Sequence, residues 1–227
     1  MDEKLAFKIL NQVRDFYNQA AESFSLTRQK RWFEFEALLK NLSQGKEKIL
    51  DFGCGNGRFS EIFEKERYFG VDFSSSLIHL AKKRYPQKKF FLIDGLHLPF
   101  KDEFFDFVFS IAVFHHIPSQ KLRIKVLKEI KRVLKKDGIF LLSVWYLWSK
   151  ISIWKLILKF TLKKLIGKNK MDFFDLYLPW QGKYLRYFHL FSKNSLKKEV
   201  KKAGFSVEKV FVLKRGKEKN LILIAKK

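Results

Sequence analysis

Residues 48 to 59 read KILDFGCGNGRF, and four of them, Asp51, Gly53, Gly55 and Gly57, could do chemistry by their type and spacing. Glycines at alternate positions let a backbone approach a ligand closely. An acid two residues before the first glycine repels phosphate and suits a cationic group. Two more acids stand downstream, Asp72 closing the run YFGVD and Asp94 closing KKFFLID. A carboxylate about 20 residues beyond a glycine-rich turn is placed to accept both hydroxyls of a ribose, and Asp94 is placed to meet an adenine amino group. The pattern is not the dinucleotide fingerprint, since Arg58 stands three residues after Gly55, and no Gly-Lys-Ser/Thr follows to make a P-loop. The plain alternative is a turn whose glycines serve only positive φ angles. With the three acids, an acidic glycine-lined crevice fits S-adenosyl-L-methionine, with its amino group, sulfonium and ribose, better than a phosphate-bearing cofactor.

Such a turn has to follow a strand and open a helix. Periodicity predicts helices at 3 to 20 and 28 to 42 with a break at SFSLT, then a strand at KILDF and a helix from about 57 to 66. The strand YFGVD comes next, then a helix capped by Ser74 or Ser75 and ended before Pro86. KKFFLID, FFDFVFSI and GIFLLSVW read as strands, with KLRIKVLKEIKRVLKK as a helix closed by Asp137-Gly138. SLKKEVKKAGF reads as a helix, and FSVEKVFVL and NLILIAKK as two strands able to pair. Strand and helix alternating in this way predict an α/β fold, a parallel sheet with helices on both faces. The expected organisation is a single domain: a helical lid at 1–45, a cofactor-binding core at 46–147, a basic aromatic insertion at 148–191, and a closing helix and strand pair at 192–227.

Composition narrows the setting. The single cysteine, Cys54, excludes an internal disulfide and gives no zinc cluster, so no metal is expected and a reducing, cytoplasmic compartment is. The first residues lack the apolar stretch of a signal peptide, and the longest uncharged run, 138 to 149, is short for the roughly 20 residues of a membrane span. Net charge is +24, and residues 148–227 hold 21 basic against 5 acidic side chains. A codon bias toward lysine and phenylalanine would spread that excess evenly. Its concentration in the last third suits a face that binds a polyanion.

The segments DFGCGNG, VDFS, IDGLHLPF and FDFVFSIAVFHH, in this order, resemble the motifs of class I S-adenosylmethionine-dependent methyltransferases. The resemblance implies a Rossmann-like fold whose mostly parallel seven-stranded sheet has its last strand antiparallel. It implies that Asp51, Gly53, Gly55 and Gly57 surround the methionine part of the cofactor and that Asp72, followed by Phe73, binds the ribose. Asp94, Gly95 and Leu96 would frame the adenine, and Ser110 and Ile111 would line the cleft. FYNQAAESFSLTRQKRW, SIAVFHH, and LPW followed by RYFHLF are similar to a narrower group, the tRNA methyltransferases that esterify 5-carboxymethyluridine at the wobble position. Phe188 and Phe191 depart from the tyrosines expected there. That group implies tRNA as substrate and a small zinc-binding activator subunit, for which KKFFLID would offer an edge strand; otherwise a monomer is expected.

For a carboxylate acceptor the catalytic candidates are Arg28 as a bidentate clamp, Tyr17 closing over the cofactor, and His115 and His116 beside the substrate, His116 the more so. Trp180, Arg186 and His189 are candidate substrate contacts. So are Lys155 and Lys159 of the stretch 149–170, where a helix would be basic and amphipathic. Such a helix can grip RNA phosphates, lie on an anionic membrane surface through 149–166, or cover the sheet with its lysines in water. Two other functions stay open: a methyltransferase for a small or lipid-like acceptor such as a quinone precursor, and a non-catalytic basic RNA-binding protein of the same fold.

Overall fold

The computed structural model describes residues 1–29, 32–43 and 45–227. Seven strands form one sheet: β1 (Ile49–Phe52), β2 (Tyr68–Asp72), β3 (Lys89–Leu92), β4 (Phe105–Ile111), β5 (Leu134–Trp145), β8 (Ser206–Arg215) and β9 (Glu218–Lys226), in the order β3-β2-β1-β4-β5-β9-β8. The first five are parallel, and β9, the last in the chain, runs antiparallel to both β5 and β8. This is the class I arrangement expected from the sequence. A separate hairpin, β6 (Asp175–Trp180) with β7 (Tyr184–His189), belongs to the insertion.

Side chains alternate across the sheet, so each strand feeds two cores. Leu50, Phe52, Val71, Val108 and Leu142 pack toward helices α5 (Gln120–Val133) and α7 (Lys193–Lys202). Ile49, Tyr68, Phe107, Phe109 and Leu141 pack toward α3 (Phe33–Leu42) and α4 (Ser75–Arg84). Burial on both faces explains why the central strands read as continuous apolar runs. Ser74 caps α4 by accepting from the Leu77 amide, as expected.

Several local expectations need correction. SFSLT is not a break but mostly helix, α2 (Ala21–Leu26), which follows α1 (Glu3–Gln19) directly. The expected helix at 28–42 begins only at Phe33; Lys30 and Arg31 lie outside the described residues. Trp32 is extended, its ring held by Arg58 and Arg215 at 3.8 and 4.0 Å, so tertiary stacking draws it out of the helix. The helix expected at 57–66 is one 3-10 turn, Ser60–Ile62. Ten residues must carry the chain from Gly57 back to Tyr68, and 3-10 and extended backbone advance about 2 Å or more per residue, against 1.5 Å for an α-helix. Finally, α5 ends at Val133 rather than at Asp137-Gly138, because fully buried Leu134 already pairs with Phe105 of β4.

The insertion forms α6 (Ile151–Leu165) and the β6–β7 hairpin, and the hairpin packs on α1. Lys155, Lys159 and Lys163 are exposed, but so are Trp154, Leu158, Leu162 and Leu165, so the outer face of α6 mixes lysines with apolar side chains. Among the described residues no helix is long and apolar enough to cross a membrane.

Candidate active site

β1, β2 and β4 end side by side, and each delivers its last residues to one cavity of about 1020 Å³, open mouth included. Its lining takes in Asp51, Gly53, Gly55, Arg58, Asp72 and Phe73 from the glycine turn and the strand ends, Ile111, Ala112, Val113 and His116 from the end of β4 and beyond, and Tyr17, Phe24, Arg28, Trp145 and Arg186 from the N-terminal segment, β5 and β7. The glycine turn serves packing and access differently at each position. A β-carbon on Gly53 would overlap Val113, and one on Gly57 would meet Phe90 at 2.7 Å, whereas one on Gly55 would have only Phe24 near it, at 3.8 Å. Gly55 (φ +57) is therefore where the backbone faces open cavity, while Gly57 packs on Phe90 and does not line it.

The two acids are buried, and burial dominates their chemistry. Asp51 accepts from the Tyr68 hydroxyl at 2.7 Å, and desolvation pushes its pKa up to about 7. Asp72 accepts from the Gly55 amide and from the Ser74 amide, each at 2.9 Å; burial raises it to about 6 against the pull of those amides. The glycine turn is also tied to the lid, since the Asn56 amide donates to Ser25 Oγ and to the Arg28 carbonyl.

Tyr17 and His116 meet across the cavity. The Tyr17 hydroxyl donates to His116 Nε2 at 2.8 Å, because His116 Nδ1 lies 2.8 Å from the Tyr187 carbonyl, which can only accept and so fixes the ring hydrogen on Nδ1. Burial, then Arg186, lowers His116 to about 3, so its ring is neutral at physiological pH. Arg186 is 6% exposed and sits among the rings of Phe16, Trp145, Trp180 and Phe188 at 5.2 to 5.9 Å. Its Nε has no partner, and among the described residues neither Arg186 nor Arg28 pairs with a carboxylate.

Other candidates lie elsewhere. Asp94 is exposed and does not line the cavity, its Oδ1 accepting from the Leu96 and His97 amides; its neighbours Gly95 and Ile93 line it instead. Leu96 and Ser110 belong to the core rather than the cleft. His115 stacks on Phe188 at 4.9 Å behind the cavity. Trp180 packs edge-on against Phe16. His189 joins a buried network instead: its Nδ1 donates to Asp175 at 2.7 Å, and its Nε2 lies 3.3 Å from Arg123. Lys155 and Lys159 are on α6, outside the cavity. Arg58 and Trp32 join the site without having been expected there. The only sequence signal for Arg58 is its place directly after the glycine turn.

Comparison with known proteins agrees with this fold. The family described as Methyltransferase domain matches residues 50–142. The tRNA (carboxymethyluridine(34)-5-O)-methyltransferase of Schizosaccharomyces pombe is 31% identical, over 86% of this chain and 89% of that protein. The Saccharomyces cerevisiae protein of the same name is 37% identical over 60% of this chain, which spans 48% of its length. Among solved structures, a Methanosarcina mazei S-adenosylmethionine-dependent methyltransferase superposes with a TM-score of 0.71 at 23% identity, covering 84% of this chain and 96% of that one. A Haloferax volcanii putative methyltransferase in complex with the Trm112 methyltransferase activator superposes with a TM-score of 0.68 at 17% identity, covering 94% and 96%. By its sheet, its glycine turn with Asp51 and Asp72 above it, and its match along nearly the whole of the fission-yeast protein, the chain belongs to the tRNA carboxymethyluridine methyltransferase family of class I enzymes and uses S-adenosylmethionine as cofactor.

Proposed function

We propose that the protein methylates the carboxylate of 5-carboxymethyluridine at the tRNA wobble position. The observation that carries this reading is Arg186, a buried guanidinium held in an aromatic box with no acid beside it, opening on the cavity. An unpaired buried cation is costly, and a substrate carboxylate would relieve that cost. The names of the relatives point to the same acceptor.

The cofactor supplies an electrophilic methyl group. Asp51 and the backbone at Gly53 and Gly55 would hold its amino-acid end, Asp72 its ribose, and Phe73, Ile93 and Gly95 its base. A carboxylate acceptor is ionised at neutral pH and needs no general base. It needs position and a dry site, since attack on a sulfonium annihilates charge. Arg186 of the hairpin and Arg28 of the N-terminal segment would grip the carboxylate. Tyr17 lies between Arg186 and His116, and the neutral His116 ring, anchored on the Tyr187 carbonyl, fixes the phenol's direction.

The raised pKa of Asp51 gives a sign to cofactor binding. A ligand ammonium favours the ionised carboxylate, so binding near or below pH 7 should release protons, and affinity should rise as pH climbs through about 7. Calorimetry in buffers of different ionisation enthalpy reads this directly; proton uptake would place the ammonium elsewhere.

The basic last third would hold the anticodon stem. Changing Lys155, Lys159 and Lys163 together to Gln should lower the slope of log tRNA affinity against log salt by roughly 0.7 to 0.9 for each phosphate no longer neutralised. If that slope is unchanged and binding to anionic vesicles falls instead, the mixed face of α6 is a membrane contact. The function itself is tested by transfer of labelled methyl groups to bulk tRNA as against an organic extract of the same cells. The assay is run alone and with a zinc-binding activator of the Trm112 kind, for which β3 offers the sheet's outer edge with Leu92 exposed. Label in the organic extract alone would favour a lipid-like acceptor, and full activity of the chain alone would remove the activator.

A further inference from the structure

Arg58 is 8% exposed and lines the cavity beside Asp51, yet among the described residues it forms no ion pair, and its Nη1 has no partner. Asp51, 2% exposed, lines the same cavity, and among the described residues its side chain has a hydrogen bond only from Tyr68. Arg58 feels the charge of Arg28 and then that of Asp51, without pairing with the acid. A buried acid and a buried base that line one cavity without pairing are complementary to a zwitterion, with its ammonium on the acid and its carboxylate on the guanidinium. The guanidinium is also held ready: it lies 3.8 Å over the ring of Trp32, which Arg215 contacts at 4.0 Å, and the Arg215 Nε is itself unpartnered. Arginine suits this task because its planar fork bonds a carboxylate through two N–H groups at once.

We propose that Arg58 binds the α-carboxylate of S-adenosylmethionine while Asp51 takes the α-ammonium, with Trp32 and Arg215 fixing the plane of the guanidinium. This rests on the cofactor placement given above. It gives the protein a means of selecting the intact cofactor over its decarboxylated form, which keeps the sulfonium, ribose and adenine but has no anion for Arg58.

Calorimetry with S-adenosylmethionine and decarboxylated S-adenosylmethionine separates the contributions. Wild-type protein should prefer the intact cofactor. Arg58→Met should weaken the intact cofactor roughly 10- to 100-fold and change the decarboxylated one by no more than about twofold, as expected for loss of a charge-assisted pair. Arg58→Lys should keep part of the preference, and it decides the matter if the Met variant melts before it can be measured. Equal losses for both ligands, or an unchanged preference in the Met variant, would overturn the assignment. So would a fall in tRNA affinity with cofactor affinity intact, which would give Arg58 to an RNA phosphate. A wild-type protein that binds neither compound would sink the cofactor placement itself and this inference with it.

Discussion

Replacing Arg186 by Met should lower turnover on tRNA roughly 10²- to 10³-fold while leaving cofactor affinity nearly intact. The clamp fixes the attacking oxygen in line with the methyl group, and its loss frees the acceptor to rotate. Arg186→Lys should restore only a small part, because a lysine cannot reproduce the two-pronged grip. The Michaelis constant for tRNA should move little, since the nucleic acid would be held mainly by surface lysines outside the cavity. Steady-state kinetics and cofactor calorimetry on the same preparations check this. Wild-type turnover in the Met variant would take Arg186 out of the substrate role, and an equal loss of cofactor affinity would move it to the cofactor side.

Glu199→Ala should destabilise the protein by about 3 to 5 kcal/mol, the usual result of stripping one partner from a buried ion pair. Arg123 and Glu199 are 2% and 4% exposed in their side chains, joined by two hydrogen bonds of 2.8 Å. Arg123 also donates to the Ile117 carbonyl, and through His189 it reaches Asp175. The pair thus ties α5 and α7 to the hairpin that carries Arg186. Urea denaturation measures the loss; replacing both partners by apolar residues of similar volume should cost less than the single change. A single variant within about 0.5 kcal/mol of wild type would show that this network holds nothing together.

The sheet is legible in the sequence because its signal is local. ILDF, YFGVD and FDFVFSI are apolar on both faces, and Ser74 announces its helix by its own hydroxyl. The connections are less legible wherever a distant contact decides them. Trp32 leaves its helix for two arginines far along the chain, and Leu134 leaves α5 for Phe105. The site divides the same way. Asp51, Gly53, Gly55, Asp72, Tyr17, Arg28, His116 and Arg186 reach one cavity from spacing and resemblance alone. Asp94 does not line it; one of its oxygens caps its own turn, which no periodicity reveals. His189 is close to Arg186 in sequence and so invites a place in the cavity, yet strand alternation alone sends the two to opposite faces of β7. Arg58 is easy to overlook because in sequence it only spoils a dinucleotide pattern; its importance lies in what does not touch it.

The acceptor atom is the central claim, and its chemistry offers a direct measurement. A methyl ester is cleaved by mild alkali to methanol, whereas a methyl group on nitrogen, carbon or ribose oxygen is not. Anticodon stem-loops carrying 5-carboxymethyluridine or uridine at the wobble position are incubated with labelled cofactor and the protein, with activator present, and the RNA is then treated with mild base. Label is expected only on the carboxymethyl RNA, with its release as volatile methanol. Label that stays on the RNA after base, or that appears equally on the uridine stem-loop, would contradict that claim.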